Sequence, residues 1–316
     1  MRQPPGRFAA VRSLIARRYD VVRAIDDVSF AVDEGEAVAY VGPNGAGKST
    51  TIKILTGILV PTGGVVKVAG IIPWRSRTRN ALQVGVVLGQ RTQLWWDLPL
   101  YESFQLMATL YRVPPQRYRL NLERLSALLD LDEFIGTPVR QLSLGQRMRG
   151  ELTAALIHEP SILYLDEPTI GLDLFAKEKV RTFIEELNRD NGTTILLTTH
   201  DLSDVERLCK RIIIIDGGHL LFDGPIVELK ARYAPWRLLG LQIAQHQSAS
   251  GSDFAISGGE LSGRSDGKLW WRFDPSRVSV ADLVAQVTSR FAVEDIALVE
   301  PNLEMVIKAI YEDRRR

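Results

Sequence analysis

The sequence predicts an α/β fold: a parallel sheet with crossover helices, interrupted by a helical insertion and followed by a small α+β tail. Three observations carry the prediction. An apolar run, Val38 to Val41, leads into the glycine-rich stretch Gly42-Pro43-Asn44-Gly45-Ala46-Gly47-Lys48-Ser49 and then into a helical pattern with apolar Ile52, Ile54, Leu55 and Ile58. A second apolar run, Ile162 to Leu165, ends on two carboxylates, Asp166 and Glu167. From 151 to 216, helical and strand periodicities alternate, as consecutive parallel strands joined by crossover helices require.

Taken in order, residues 1 to 19 place Phe8, Val11, Leu14, Ile15 and Arg18 near helical spacing, with basic residues spread among them. This basic helical segment suits either a solvated packing helix or contact with a membrane surface. Residues 20 to 80 alternate short strands with turns, Val28 to Val32 before Asp33-Glu34-Gly35-Glu36 being one example, and contain the glycine-rich loop with a helix over 50–59. Residues 97 to 150 read as helices, Tyr101 to Tyr111 and Tyr118 to Leu129 separated by Pro114-Pro115. Asp216-Gly217-Gly218-His219 between two apolar runs reads as a hairpin turn. Beyond Pro235 the character changes: 245–267 is rich in Ser, Gly, Gln and Asp and reads as loops between short strands. A strand (Leu269 to Phe273), a helix (Val280 to Phe291), a strand (Ile296 to Val299) and a helix (Leu303 to Tyr311) complete the chain. The expected domains are therefore 1–19, 20–234 with a helical subdomain at about 97–150, and a small α+β domain over 235–316.

The loop fills every fixed position of G-x-x-x-x-G-K-[ST] with Gly42, Gly47, Lys48 and Ser49, between a strand and a helix. A triphosphate is a dense anion that needs several donors aimed at one place. Glycines let successive backbone N–H groups converge, and the following helix N-terminus adds its partial positive charge. Lys48 can reach the β- and γ-phosphates, and the Ser49 hydroxyl can ligate Mg²⁺. Residues 42 to 47, Lys48, Ser49 and Thr50 are the expected nucleoside triphosphate contacts. Asp166 is expected to hold Mg²⁺ with Ser49, and Glu167 to act as general base toward the attacking water.

Between these two constellations lies Leu142-Ser143-Leu144-Gly145-Gln146, about 95 residues after Lys48 and about 23 before Asp166. With it the chain resembles the ATPase subunits of ATP-binding cassette (ABC) transporters, whose signature is LSGGQ; Leu144 stands where the family has its first glycine. The resemblance implies a P-loop NTPase cassette with an inserted helical subdomain, an antiparallel β subdomain and here an α+β C-terminal domain. It implies that Ser143, Gly145 and Gln146 approach ATP bound by a second cassette, either another copy or a homologue. It assigns Gln90 as the glutamine that senses Mg²⁺ and the γ-phosphate, Gly171-Leu172-Asp173 as the loop along the dimer seam, and His200, 33 residues past Glu167, as the switch histidine. Tyr19 lies at the spacing of the adenine-stacking aromatic, yet the short strand that usually precedes that residue is replaced here by the basic segment. Adenine stacking and a missing first strand both stand open.

Two further stretches resemble exporter members of the family. Gln93-Leu94-Trp95-Trp96-Asp97-Leu98-Pro99 matches a run in viologen-type exporters, and implies that Trp95 and Trp96, with Leu94 and Leu98, receive a helix of a separate permease. Glu300-Pro301-Asn302-Leu303-Glu304 matches the tail of multidrug, viologen and polyketide exporter ATPases. An importer ATPase or a non-transport ABC ATPase is the alternative. The single cassette without a coiled-coil insertion disfavours the latter, and the presence of Lys48, Asp166, Glu167 and His200 disfavours a cassette that has lost catalysis.

Composition sets limits. A formal net charge of +1 argues against an extended nucleic-acid surface, and 45% hydrophobic residues supply a core. No run approaches the ~20 apolar residues of a membrane span, so the channel is expected from other chains. Arginines interrupt the apolar residues at the N-terminus, unlike a cleavable signal. The single cysteine, Cys209, is expected to be a packed core thiol in a reducing compartment. Together these give ATP and Mg²⁺ as cofactors, a second cassette and membrane permeases as partners, and the cytoplasmic face of the plasma membrane as location.

Overall fold

The structure, a computed structural model, describes residues 23–89, 91–243, 256–265 and 267–314. Tyr19, Gln90 and the basic segment over 1–19 lie outside the described residues. The chain forms two compact units, one up to Asp223 and one from Gly224 onward.

The first unit is built on a six-stranded sheet: β1 (Ala37–Val41), β2 (Val84–Leu88), β3 (Ile162–Asp166), β4 (Thr194–Thr198), β5 (Arg211–Asp216) and β6 (His219–Pro225). Their spatial order is β2-β3-β4-β1-β5-β6. The β2–β3, β3–β4, β4–β1 and β1–β5 pairings are parallel. These strands read as continuous apolar runs because helices cover both faces of such a sheet. Val38, Tyr40, Tyr164, Leu196, Ile213 and Ile215 are buried together in one core cluster.

Strand order sets the site. The sheet places β1, β3 and β4 side by side, with β4 between the other two. Parallel strands present all their C-terminal ends on one edge. The glycine-rich loop after β1, the acids at the end of β3 and the histidine after β4 therefore share that edge, where ligands of open α/β sheets bind.

Helices fill the connections: α1 (Lys48–Leu55), α2 (Arg77–Ala81), α3 (Leu100–Leu110), α4 (Pro115–Leu129), α5 (Leu144–Leu156), α6 (Leu174–Asn191) and α7 (Leu202–Leu208). α3 and α4 pack on α5, whose far end packs on β2, so α5 runs from the helical insertion into the sheet. Two local readings are corrected. α1 stops at Leu55, where Thr56 and Gly57 close the last turn onto Ile52 and Ile54, and this leaves Ile58 exposed. Val28 to Val32 shows the alternating burial of a half-buried strand, and Phe30 and Val32 pack on the core, but it forms no ladder among the described residues. Alternation reports which side chains face the core, not whether the backbone finds a partner. Among the described residues of 23–80, the antiparallel pairing is the isolated Val68–Ile71 bridge.

The second unit comprises α8 (Ile226–Tyr233), β7 (Arg237–Ile243), β8 (Gly259–Ser265), β9 (Lys268–Phe273), α9 (Val280–Thr288), β10 (Val293–Val299) and α10 (Leu303–Arg314). Its antiparallel sheet has the order β10-β7-β9-β8. Leu239, Leu241, Trp271 and Phe273 form its core with Leu283 and Val287 of α9. The sequence reading assigns neither β7 nor β8: β8 alternates no apolar residues and is exposed along most of its length, whereas β7 is apolar and buried at its centre. Among the described residues no helix is long and apolar enough to cross a membrane.

Candidate active site

The glycine-rich loop leaves β1 and returns into α1 with Gly47 as its N-cap, at φ 112°. A side chain at Gly47 meets two obstacles: the positive φ, and the Ala24 carbonyl oxygen, 2.5 Å from where a Cβ would stand. No side chain caps α1 and its first turn carries no acid. Its leading N–H groups are therefore left for an anion rather than for the protein's own carboxylates. Lys48 Nζ donates to the carbonyl oxygens of Gly42 (2.5 Å) and Pro43 (3.3 Å), which folds the cation back over the loop mouth. Burial lowers the Lys48 pKa, while Glu167 and Asp166 act to raise it.

The two acids hang from the end of β3. Ser49 Oγ donates to Asp166 Oδ2 at 3.4 Å, and Thr198 Oγ1 of β4 donates to the other Asp166 oxygen. Thr198, which the sequence did not single out, joins the candidate site through this bond. Its signal was the polar pair Thr198-Thr199 closing an otherwise apolar strand.

Glu167 sits in the left-handed region at φ 58°, a conformation that costs a non-glycine residue on the order of 1–3 kcal/mol. Its N–H donates to Thr198 O at 2.8 Å, which holds the turn. The turn aims its carboxylate at His200: His200 N donates to Glu167 Oε2 at 3.2 Å, and His200 Nε2 stands 3.3 Å from Oε1. Oε1 is buried yet accepts no hydrogen bond. Burial raises the Glu167 pKa above the ordinary carboxylate range; His200 and Lys48 counter this and Asp166 adds to it.

These residues fit a magnesium–triphosphate. A hydroxyl and a carboxylate converge at the loop, matching a hard cation that keeps its water and phosphate ligands. Glu167 Oε1, buried and accepting no hydrogen bond, keeps acceptor capacity beside the His200 ring.

The signature lies at the head of α5. Ser143 caps that helix: its Oγ accepts from Gln146 N (3.2 Å) and its N–H donates to Gln146 Oε1 (2.9 Å). Asp173 likewise caps α6, accepting from Ala176 N at 2.9 Å. The signature and the Asp173 loop are neighbours within one chain. A Cβ on Gly145 would stand 2.8 Å from Ala176 Cβ, and one on Gly171 would stand 2.8 Å from Leu144 Cδ2. The structure thus brings Lys48, Ser49, Asp166, Glu167 and His200 into one cluster, and Ser143, Gly145, Gln146 and Asp173 into a second. Of the two tryptophans, Trp95 is 38% and Trp96 50% exposed; Leu94, expected beside them, is 5% exposed and belongs to the core.

A family model described as ABC transporter matches residues 25–170. The daunorubicin resistance ATP-binding protein DrrA3 of Streptomyces coeruleorubidus is 32% identical over 303 residues, covering 95% of each chain. The Nod factor export ATP-binding protein I of Ralstonia nicotianae is 34% identical over 233 residues, covering 72% of each. The dimeric post-hydrolysis structure of the ATP-binding cassette MJ0796, bound to ADP and Pi, superimposes with a TM-score of 0.60 at 27% identity, over 67% of this chain and 94% of that one. A parallel sheet with the glycine-rich loop after β1, paired acids after β3 and a histidine after β4 accompanies these likenesses, and the chain belongs to the ATP-binding ATPase subunits of the ABC transporter family.

Proposed function

We propose that this chain is the ATP-hydrolysing subunit of a membrane exporter, acting as one of two head-to-tail cassettes and passing its motion to a separate permease at the cytoplasmic face. The observation that carries the hydrolytic reading is the Glu167 carboxylate at the end of β3, one oxygen accepting from His200 N and the other, buried and without a hydrogen bond, 3.3 Å from His200 Nε2.

In this reading the N–H groups of the loop and of the uncapped α1 bind the phosphates, and Lys48 exchanges its loop carbonyls for β- and γ-oxygens. Ser49 and Asp166 would hold Mg²⁺, with Gln90 as the further expected ligand, and the ion would supply charge neutralisation at the phosphate oxygens. Glu167 Oε1 accepts a proton from the attacking water as its oxygen bonds to the γ-phosphorus and the β–γ bridging bond breaks to leave ADP. His200 holds the Glu167 carboxylate in its turn, and its ring lies beside the same oxygen. Ser143, Gly145 and Gln146 close over the γ-phosphate bound by the other cassette, and Asp173 lies at the seam. Among the described residues the Ser143 and Gln146 side chains each accept from the other's backbone N–H and make no hydrogen bond to the Lys48 cluster, which supports this reading.

Export and a separate permease are supported by likeness to a drug-resistance and a Nod factor export ATP-binding protein, each taken from its own name. The exposed Trp95 and Trp96, on a segment whose Trp95 N–H is held by Ser103 Oγ of α3, offer the aromatic surface on which a permease helix would dock.

The test is Glu167→Gln, which keeps shape and removes the base. Nucleotide binding is expected to persist, turnover to fall by about 10² to 10⁴, and an ATP-bound dimer to accumulate on a sizing column. Wild-type turnover in that variant would remove Glu167 from the role.

A further inference from the structure

The helix that carries the signature is fastened to the segment after position 90 by a buried carboxylate. Glu151 lies in the middle of α5 and is 4% exposed. It accepts from Thr92 Oγ1 and from Gln93 N at 3.2 Å. The Gln93 side chain returns the contact, Nε2 donating to Glu151 O at 3.1 Å and to Val86 O of β2 at 3.4 Å. Thr92 Oγ1 also accepts from Leu94 N at 3.1 Å, so the hydroxyl organises the turn that delivers Gln93.

On the other side of position 90 the chain is fastened to different residues. Gly89 N donates to Asp166 O at 2.7 Å, and a Cβ at Gly89 would stand 2.7 Å from Glu167 O. The backbone therefore passes, within three residues, from an anchor on the catalytic acids to an anchor on the signature helix.

A carboxylate is an expensive residue for this position. Burial raises the Glu151 pKa, and only Thr92, Gln93 and Arg147 oppose that rise. An apolar side chain would fill the same space without a desolvation cost, so core packing alone does not account for an acid here.

We propose that Glu151 is a positioning residue for ATP hydrolysis: by gripping Thr92 and Gln93, it makes α5, and with it Ser143 and Gly145, follow any shift of the segment after position 90. The inference rests on the head-to-tail reading above, in which the place of Ser143 matters to the other cassette's ATP. Glu151 is buried among Thr92 and Gln93 and acts through α5.

The experiment compares the full chain with Glu151→Gln, Thr92→Val, Thr92→Ser and the Glu151→Gln/Thr92→Val double variant. Read-outs are melting temperature, affinity for a fluorescent ATP analogue, and kcat and KM across protein concentrations. Loss of the grip is expected to lower kcat by about 3- to 30-fold in Glu151→Gln and in Thr92→Val. Nucleotide affinity is expected to stay within about twofold, because the loop and α1 are not touched. Thr92→Ser, which keeps the hydroxyl, restores turnover, and the double variant falls no further than its worse parent.

Wild-type kcat in a folded Glu151→Gln or Thr92→Val variant overturns the proposal, as does a loss of nucleotide affinity that accounts for the whole fall in activity. Thr92 is exposed and its substitution leaves Glu151 in place, so Thr92→Val decides the matter alone if Glu151→Gln does not fold. Wild-type turnover that is independent of protein concentration overturns the two-cassette reading and the grip with it. Concentration-dependent turnover with unaffected variants overturns the grip alone.

Discussion

Trp96→Ala and Leu94→Ala, two residues apart, are expected to fail in different assays. The backbone between them is held without their side chains: Trp95 N donates to Ser103 Oγ at 3.1 Å, and Trp96 O accepts from Arg140 N at 3.0 Å. Either truncation therefore reports on the side chain itself. Leu94 is 5% exposed, and a leucine-to-alanine change in such a site costs about 2–5 kcal/mol. A fully buried tryptophan would cost about 3–5 kcal/mol. With 50% of Trp96 already in water, about half of that contribution remains to be lost. In a unit of this size each kcal/mol moves the melting temperature by about 2–4 °C.

Docking reverses the ranking. If the exposed half of the indole is what the permease covers, its removal costs about 2 kcal/mol or more, roughly a 30-fold weaker association. Leu94→Ala leaves that surface intact in whatever fraction folds. The assay pairs melting of the isolated subunit with its affinity for permease reconstituted in lipid nanodiscs. A Trp96→Ala variant that melts as low as Leu94→Ala, and whose folded fraction binds permease like the wild type, would refute the reasoning and return Trp96 to the core.

Two predictions concern the site. Mixing Lys48→Ala subunits with Ser143→Arg subunits is expected to recover turnover that neither has alone, since one of the two composite sites then has both halves intact; inactivity of the mixture, with dimers shown to form, counts against composite sites. Because burial holds Glu167 above the ordinary carboxylate value of 4.5, and only the ionised form accepts a proton, kcat is expected to fall as pH drops through that raised value, giving an acidic limb above pH 4.5. A kcat–pH profile flat down to 4.5 would show that the carboxylate is not titrating in the rate-limiting step.

Much of this was legible in the sequence because the site is made of contiguous pieces at strand ends. An apolar run followed by Gly42 to Ser49, and another followed by Asp166-Glu167, each state a strand, its direction and its chemistry within a dozen residues. The parallel sheet order then does the assembling. What escaped was non-local. Thr198 completes the Asp166 site from the neighbouring strand, a relation that register creates and no spacing announces. Glu151 reads in sequence as an ordinary polar residue on an amphipathic helix. Only the fold shows it turned inward onto Thr92 and Gln93, 58 residues or more away along the chain. Leu94 was misplaced for a related reason: a run of apolar and aromatic residues does not say which members face the core, and the backbone turn at Thr92 directs Leu94 inward and leaves Trp95 and Trp96 outside.

The departure at Leu144 becomes intelligible on the same terms. The family's first signature glycine is replaced, and the space the leucine needs is found at Gly171, whose missing Cβ would stand 2.8 Å from Leu144 Cδ2. Gly145 has no such room, since Ala176 lies where its side chain would go. One glycine of the pair is therefore dispensable here and the other is not, on packing grounds alone. The Leu144–Gly171 contact also joins the head of α5 to the loop that runs from Glu167 to Asp173, while Glu151 joins the middle of α5 to the segment after position 90. The signature helix is thus tied at two heights to the two loops that leave the catalytic strand and its neighbour. A rigid helix held in this way cannot shift at one end alone, so a displacement begun at either loop reaches Ser143 as a movement of the whole helix.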